Sequence, residues 1–291
     1  MRYRQASRRV LLTLIVCASA CPSLALARAH RAQAAPALRS NSVYVLDVSN
    51  SSVVLSRQAD VAMPIASITK LMTALVVLEA GQPLDERLEI TAEDSGGHKS
   101  GVSRLQTGTT LSRADLLHLA LMSSENRAAH ALGRNFPGGL PACVQAMNAK
   151  AHALGMQSTH FVEPTGLSSE NVASPADLAK LVQAAAESPT IQEYSTDPSY
   201  TVPVRRHLVA FHNTDSLVRN PTWNIIVQKT GYIAEAGRCL VMQAIFEGRS
   251  VVIVLLDSAG KRTRFADAVR IRKWMESHLA AAATLASAPK A

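Results

Sequence analysis

The order of apolar runs in this 291-residue chain predicts an α/β fold in which one sheet is split by an all-helical insertion. Three observations carry it. Two β-rich runs open the folded part, helical periodicity then dominates for about 100 residues, and strand signals return near the end before a last helix. One of the late runs, Val251-Val252-Ile253-Val254-Leu255-Leu256, is apolar without interruption. That is the pattern of a central strand buried on both faces.

Ser42–Asp47 and Ser52–Arg57 are β-rich runs separated by Val48-Ser49-Asn50-Ser51, which predicts a hairpin. Pro64 precedes a long apolar helix over Ser67–Ala80, ended by Gly81 and Pro83. Ser112 with Asp115 three residues on makes a capping arrangement ahead of Leu116–Leu121. Helices over Arg127–Leu132, Leu140–Leu154 and Ala176–Ala186 follow, the last with Ser174 as cap and Pro175 at its first position. From Ser199 the signal turns to strands, with runs at Thr222–Gln228, Arg238–Phe246 and Val251–Asp257. Lys261–Leu279 reads as the closing helix. A cleft between sheet and helical block is the expected place for a ligand.

The ends have a different character. Arg2, Arg4, Arg8 and Arg9 precede the apolar run Val10–Ala20, and Ala25-Leu26-Ala27 is a small-residue cleavage pattern, so residues 1–27 read as a secretory signal peptide. About 11 apolar residues are too few for a membrane anchor, which needs about 20. Ser7-Arg8-Arg9 also fits a twin-arginine signal, and export by either route predicts a periplasmic protein. Residues 28–41 are Ala- and Arg-rich and read as a linker, residues 42–280 as the catalytic domain with a helical subdomain over about 71–190, and residues 281–291 as a disordered tail. Cys143 and Cys239 remain after signal cleavage, free to pair or to stay as two buried thiols.

A net charge of +8 raises the question of nucleic-acid binding. Four of those charges are the signal arginines, and the others are matched by Arg28, Arg31, Arg39 and Lys290 in the linker and tail. The segment between them is neutral, so no nucleic-acid surface is expected. The nine histidines form no H-x-x-x-H or H-E-x-x-H spacing and predict no metal; His118, His130 and His152 read as surface or core residues. No G-x-S-x-G elbow is present for a Ser-His-Asp hydrolase. Tyr194, Tyr200 and Trp223 are read as core packing rather than cleft lining.

Ser67-Ile68-Thr69-Lys70 is the leading candidate for chemistry. One helical turn brings hydroxyl and ammonium to the same face, and a desolvated lysine can take the serine proton. The spacing alone equally suits a helix cap with a solvated lysine, and it recurs at Ser258-Ala-Gly-Lys261 and Ser287-Ala-Pro-Lys290, neither of which has the helix context. Lys229-Thr230-Gly231 occurs once, at a strand end, where ammonium and hydroxyl can bind a carboxylate and glycine permits close approach. Between them Ser124-Glu125-Asn126 enters a helix, while its copy Ser169-Glu170-Asn171 reads as a turn.

S-x-x-K, S-x-N and K-T-G in this order resemble the pattern of penicillin-binding proteins and serine β-lactamases. The stretches Pro64–Ala74, Leu121–Ala129, Phe161–Leu167, Trp223–Gly231 and Cys239–Met242 narrow the resemblance to D-alanyl-D-alanine endopeptidases of the penicillin-binding protein 7/8 type. It spans Asn41–Leu279 and implies the serine β-lactamase/D,D-peptidase fold: an antiparallel sheet flanked by helices, plus a helical subdomain. It further implies Ser67 as acylated nucleophile, Lys70 as general base and Ser124 as proton relay to the leaving amine. Asn126 would hold the substrate amide, and Lys229, Thr230 and Gly231 would form the carboxylate edge. An oxyanion hole would come from the backbone N–H groups of Ser67 and Tyr232. The implied substrate is cross-linked peptidoglycan peptide, with β-lactams as acylating inhibitors and no cofactor. Two alternatives share the motifs, a serine β-lactamase and a non-catalytic penicillin- or peptidoglycan-binding module. Thr165-Gly166-Leu167 after Glu163-Pro164 departs from the β-lactamase loop.

Overall fold

The computed structural model describes residues 35–95 and 103–287, with side chains as far as Ser277. Residues 35–276 form one compact unit, and residues 277–287 belong to a second. The signal segment and Lys290 lie outside the described residues.

Besides the short pairs β3 (Met63–Pro64) with β6 (Val172–Ala173) and β4 (Arg87–Glu89) with β5 (Thr110–Ser112), five strands, β1 (Ser40–Asp47), β2 (Ser52–Arg57), β9 (Asn224–Ile233), β10 (Gly237–Phe246) and β11 (Arg249–Ser258), make an antiparallel sheet in the order β2-β1-β11-β10-β9. The continuous apolar run is the middle strand β11, as its composition predicts. Strand alternation sends its residues to two cores. Val252, Val254 and Leu256 pack toward the helical block, while Val251, Ile253 and Leu255 pack with Ala268, Ile271 and Met275 of the closing helix α7, Thr263–Ser287. All six are fully buried, each stabilising by about 1.5–3 kcal/mol.

The helical block runs from Thr69 to Thr196. It holds α1 (Thr69–Glu79), α2 (Arg113–Met122), α3 (Asn126–Arg134), α4 (Gly139–Ala153), α5 (Pro175–Ala186) and α6 (Pro189–Thr196). The capping box at α2 forms as expected: Ser112 Oγ accepts from Asp115 N at 3.0 Å and Asp115 Oδ2 from Ser112 N at 3.1 Å. Ser174 caps α5 through Asp177 N at 3.2 Å, with Pro175 opening it. The buried side of α1 takes in nine of its 11 residues, so this helix is the axle of the block rather than a surface stripe.

The structure departs from the sequence expectations in four places. Strand signal from Ser199 first builds a separate hairpin, β7 (Ser199–Val204) and β8 (His207–His212). Strand β9 does not end at Gln228 but carries Lys229-Thr230-Gly231 within it, paired to Val241, Leu240 and Cys239 of β10. Cross-strand partners impose that extension where local propensity does not. Strand β1 starts inside the expected linker, because Ser40 is tied down by its N–H and Oγ to Asp267 Oδ2, both at 2.7 Å. Lastly, α7 continues to Ser287 through the segment assigned to a disordered tail, a stretch whose alanines are the best helix formers. Cys143 and Cys239 are buried and unbonded. Among the described residues no helix is long and apolar enough to cross a membrane.

Candidate active site

Ser67 is the middle residue of a single 3-10 turn, Ala66–Ile68, that leads into α1. Neither that turn nor α1 has a side-chain cap bond, so the Ser67 hydroxyl is not spent on a helix end. The turn is held from two sides: Ile65 N donates to Asn171 O at 3.1 Å, and Thr69 Oγ1 donates to Ala66 O at 2.8 Å. Ala66, next to the nucleophile candidate, has φ +48°, a left-handed conformation that costs an alanine about 1 kcal/mol or more.

Lys70 sits one helical turn on and is 1 % exposed. Its Nζ donates to Ser67 Oγ at 2.9 Å, to Asn126 Oδ1 at 2.8 Å and to Thr165 O at 2.5 Å. An ammonium has three protons to give, and all three are committed. Burial lowers its pKa to about 8, against the opposing pull of the Glu163 and Glu125 carboxylates. The neutral amine that becomes accessible keeps a lone pair within reach of the Ser67 proton. The S-x-x-K pair is therefore a buried hydroxyl–amine couple, not a cap with a solvated lysine.

Ser124 and Asn126 come from the joint between α2 and α3. Ser124 has φ +61°, again a left-handed non-glycine, while the chain around it is pinned by Ser123 N and Glu125 N, both donating to Leu119 O at 3.1 Å. Glu125 caps α3 through Arg127 N at 3.2 Å. That cap leaves Asn126 as the first helical residue, with its amide oxygen on Lys70.

The other wall is the sheet edge. Lys229 is fully buried in β9, its Nζ donating to Thr230 O at 3.0 Å. Burial, then the nearby Lys70 and Arg264 charges, lower its pKa well below the ordinary lysine value. Thr230 Oγ1 shares a 2.6 Å hydrogen bond with Thr214 Oγ1, and Tyr232 is 56 % exposed with Arg238 stacked 4.2 Å from its ring centroid. Gly231 passes the nucleophile turn so closely that a Cβ there would lie 2.9 Å from Ile65 O and 3.2 Å from Ser67 N. Of the eight sequence candidates, Lys70 on α1 bonds Ser67 and Asn126, Gly231 passes beside Ser67, and the Lys70 charge reaches Lys229; Ser124, Thr230 and Tyr232 are their close neighbours along the chain.

Sequence reasoning gave no individual role to residues 163–171, and the structure makes them a further support of the site. Glu163 accepts from Thr165 N (2.6 Å), Thr165 Oγ1 (2.6 Å), Gly166 N (2.6 Å), Ser168 N (3.3 Å) and Asn171 Nδ2 (2.9 Å). This wraps the chain so that Thr165 O meets Lys70. Gly166, at φ +79°, lies against the same peptide as Ser67: a Cβ would be 2.0 Å from Ala66 O. Asn171, from the tripeptide read as a turn, does make one, with its N–H on Ser168 O at 3.3 Å, and its buried side chain also grips Thr69 Oγ1 at 3.2 Å. A carboxylate followed within five residues by several free N–H groups is the local signal for such a wrapped loop.

The other sequence decoy is structural. Ser258 closes β11 on Ser40 Oγ at 2.6 Å, and Lys261 is exposed. His118 is a core residue stacked on Tyr194 and Tyr200 at centroid distances of 4.4 and 3.9 Å, and Trp223 packs edge-on against Phe246. Among the described residues no group of acids, histidines and cysteines could hold a metal ion.

Known proteins share this arrangement of elements. Residues 29–260 match the family model described as D-alanyl-D-alanine carboxypeptidase. The chain is 50 % identical to a D-alanyl-D-alanine endopeptidase of Pseudomonas aeruginosa, over 82 % of this chain and 78 % of that one. It is 45 % identical to a D-alanyl-D-alanine endopeptidase of Escherichia coli, over 83 % and 79 %. Among solved structures it is similar to the Streptomyces K15 DD-transpeptidase, at TM-score 0.77 and 26 % identity over 83 % of this chain and 98 % of that one. It is also similar to penicillin-binding protein D2 of Listeria monocytogenes in its cefotaxime-bound form, at TM-score 0.72 and 30 % identity over 84 % and 98 %.

Proposed function

This chain belongs to the D-alanyl-D-alanine carboxypeptidase family, and from that membership we propose a serine-type D-alanyl-D-alanine peptidase that opens D-Ala cross-links of peptidoglycan. One observation carries the reading: a lysine 1 % exposed holds its Nζ on both Ser67 Oγ and Asn126 Oδ1.

In the proposed reaction Ser67 Oγ attacks the D-Ala carbonyl carbon while neutral Lys70 takes its proton. The oxyanion is met by the Ser67 and Tyr232 N–H groups. The amide C–N bond then breaks, and Ser124 relays a proton to the departing amine, leaving an ester on Ser67. Water cleaves the ester and restores the hydroxyl. Asn126 holds the substrate amide, and the buried Lys229 ammonium, with Thr230 Oγ1, takes a substrate carboxylate. A negative group arriving there supplies counter-charge to Lys229, whose own charged neighbours are the cations Lys70 and Arg264. Gly231 lets β9 and the extended substrate run close to Ser67. β-Lactams would enter the same path and remain as esters. The endopeptidase relatives and the signal-type N-terminus support action on cross-bridges in the periplasm.

Fluorescent penicillin should label the purified protein covalently, with no labelling of Ser67→Ala. Cross-linked muropeptide dimers should be converted to monomers by the wild type. Persistent labelling of Ser67→Ala would overturn the nucleophile. Intact dimers beside a labelled protein would make the chain a binding module, and rapid turnover of penicillin would make it a β-lactamase.

A further inference from the structure

Between β8 and β9 the chain passes through Asn213-Thr214-Asp215, in which the two outer residues are buried and Thr214 is exposed. The buried pair holds this segment in place. Asn213 Nδ2 donates to Ser195 O at 2.9 Å and to Asp197 O at 2.8 Å, at the end of α6. Its Oδ1 accepts from Asp215 N and from Gln228 Nε2, both at 2.9 Å. Gln228 directly precedes Lys229 in β9 and also donates from Nε2 to Ser195 O at 2.6 Å. Asp215 Oδ1 accepts from Leu217 N at 2.8 Å. Thr214 therefore stands on a mount whose hydrogen bonds lie out of reach of competing water.

Thr214 makes two bonds of its own. Its N–H donates to the carbonyl of Met122, the last residue of α2, at 3.1 Å. Its Oγ1 shares the 2.6 Å hydrogen bond with Thr230 Oγ1. One residue thus ties the α2–α3 joint, which carries Ser124 and Asn126, to the strand edge that carries Lys229 and Thr230. The two hydroxyls also have a fixed order once substrate is bound. Each threonine has one hydroxyl proton to give, and a carboxylate only accepts. Thr230 spends its proton on the substrate carboxylate, so the proton between the two threonines comes from Thr214. The hydrogen bonds then run in one direction, from Thr214 through Thr230 to the carboxylate, and each strengthens the next.

We infer that Thr214 is a positioning residue for this reaction, its hydroxyl turning the Thr230 proton toward the substrate carboxylate and its N–H holding the K-T-G edge to the α2–α3 joint. The inference rests on the peptidase reading and adds to it a residue from outside the three motifs. Thr214 acts through Thr230 and not on the bond that breaks. A side chain without a hydroxyl at this position leaves the Thr230 hydroxyl free to rotate and one of its lone pairs without a donor.

The test uses two D-alanyl thioesters that differ only in the leaving group, a thioglycolate ending in a carboxylate and its primary amide. Rates are normalised to the protein labelled by saturating fluorescent penicillin, so partial loss of folded enzyme cancels. Wild type should prefer the carboxylate. Thr214→Val removes the hydroxyl but keeps the branched shape and the backbone bond to Met122. It should lower kcat/KM for the carboxylate thioester about three- to tenfold, the worth of one hydrogen bond, mainly through KM. The amide should lose less, because its bond to Thr230 is not charge-assisted, so the preference shrinks. Thr214→Ser returns the hydroxyl and should keep the wild-type preference. Equal losses on both thioesters in Thr214→Val would make the residue merely structural and overturn the inference. No loss on either, or a serine variant that behaves like the valine, overturns it as well. A wild type with no preference for the carboxylate overturns it together with the Lys229–Thr230 edge. Failure of the peptidase reading is separate: wild type cleaves neither thioester and penicillin does not label Ser67.

Discussion

Gly231 lies so near Ser67 that a methyl group built on it would stand 3.2 Å from the Ser67 amide nitrogen and 2.9 Å from the Ile65 carbonyl oxygen. The contact joins the edge strand to the nucleophile turn through backbone alone. Both Ser67 and the residue after Gly231 are the proposed oxyanion donors, so their spacing depends on that missing side chain.

Gly231→Ala should therefore push β9 away from the turn. Penicillin acylation should fall by about a hundredfold, the scale of one lost oxyanion donor, while overpacking costs about 1–3 kcal/mol of stability. Stopped acylation kinetics and a thermal melt measure the two effects. An alanine variant that acylates at the wild-type rate would show that the close approach has no part in catalysis.

Lys70 sets the pH dependence. Its pKa is lowered to about 8, and the amine is the active form. The acylation rate should rise about tenfold per pH unit below that value and level off above it. Lys70→Met should remove both the rate and the rise. A flat profile between pH 6 and 9 in wild type, with each pH flagged by about the same rate, would dismiss Lys70 as the base.

Glu163→Gln should displace that profile. The carboxylate raises the Lys70 pKa, so its neutralisation should move the midpoint to lower pH. The amide also faces the N–H groups of Thr165, Gly166 and Ser168 with an NH2 group in place of one acceptor oxygen, which loosens the loop under Lys70. A lower midpoint together with a slower plateau is the expected pair of changes. An unmoved midpoint would mean that Glu163 acts on the loop alone.

Cys143 and Cys239 are buried and free, and burial pushes both thiols up to about 12. Neither should react with a disulfide reagent in the native protein, both should react after unfolding, and reductant should leave the melting temperature unchanged. A reductant-sensitive melt would reveal a disulfide instead.

Much of this protein could be read from its residues in order. The uninterrupted apolar run at Val251–Leu256 marked the middle strand, Ser112 and Ser174 marked helix starts, and three short motifs marked the site. These signals are local: side-chain period, capping chemistry and spacing along a helix. The extension of β9 through Lys229-Thr230-Gly231 was not legible, because it depends on partners in β10. Nor was the helical continuation to Ser287, where low complexity outweighed the helix propensity of alanine.

By itself, then, the sequence determined that a serine and a lysine share one helical face, and that an Asn and a K-T-G edge exist to join them. Only the tertiary structure decided that the Ser67–Lys70 copy of S-x-x-K is buried with a lowered lysine pKa while Lys261 of the Ser258 copy is exposed, since desolvation comes from walls contributed by distant segments. It also turned Glu163 and Asn171 into supports and set Thr214 against Thr230. Such roles arise from contacts between residues tens of positions apart, and no period or spacing along the chain records them.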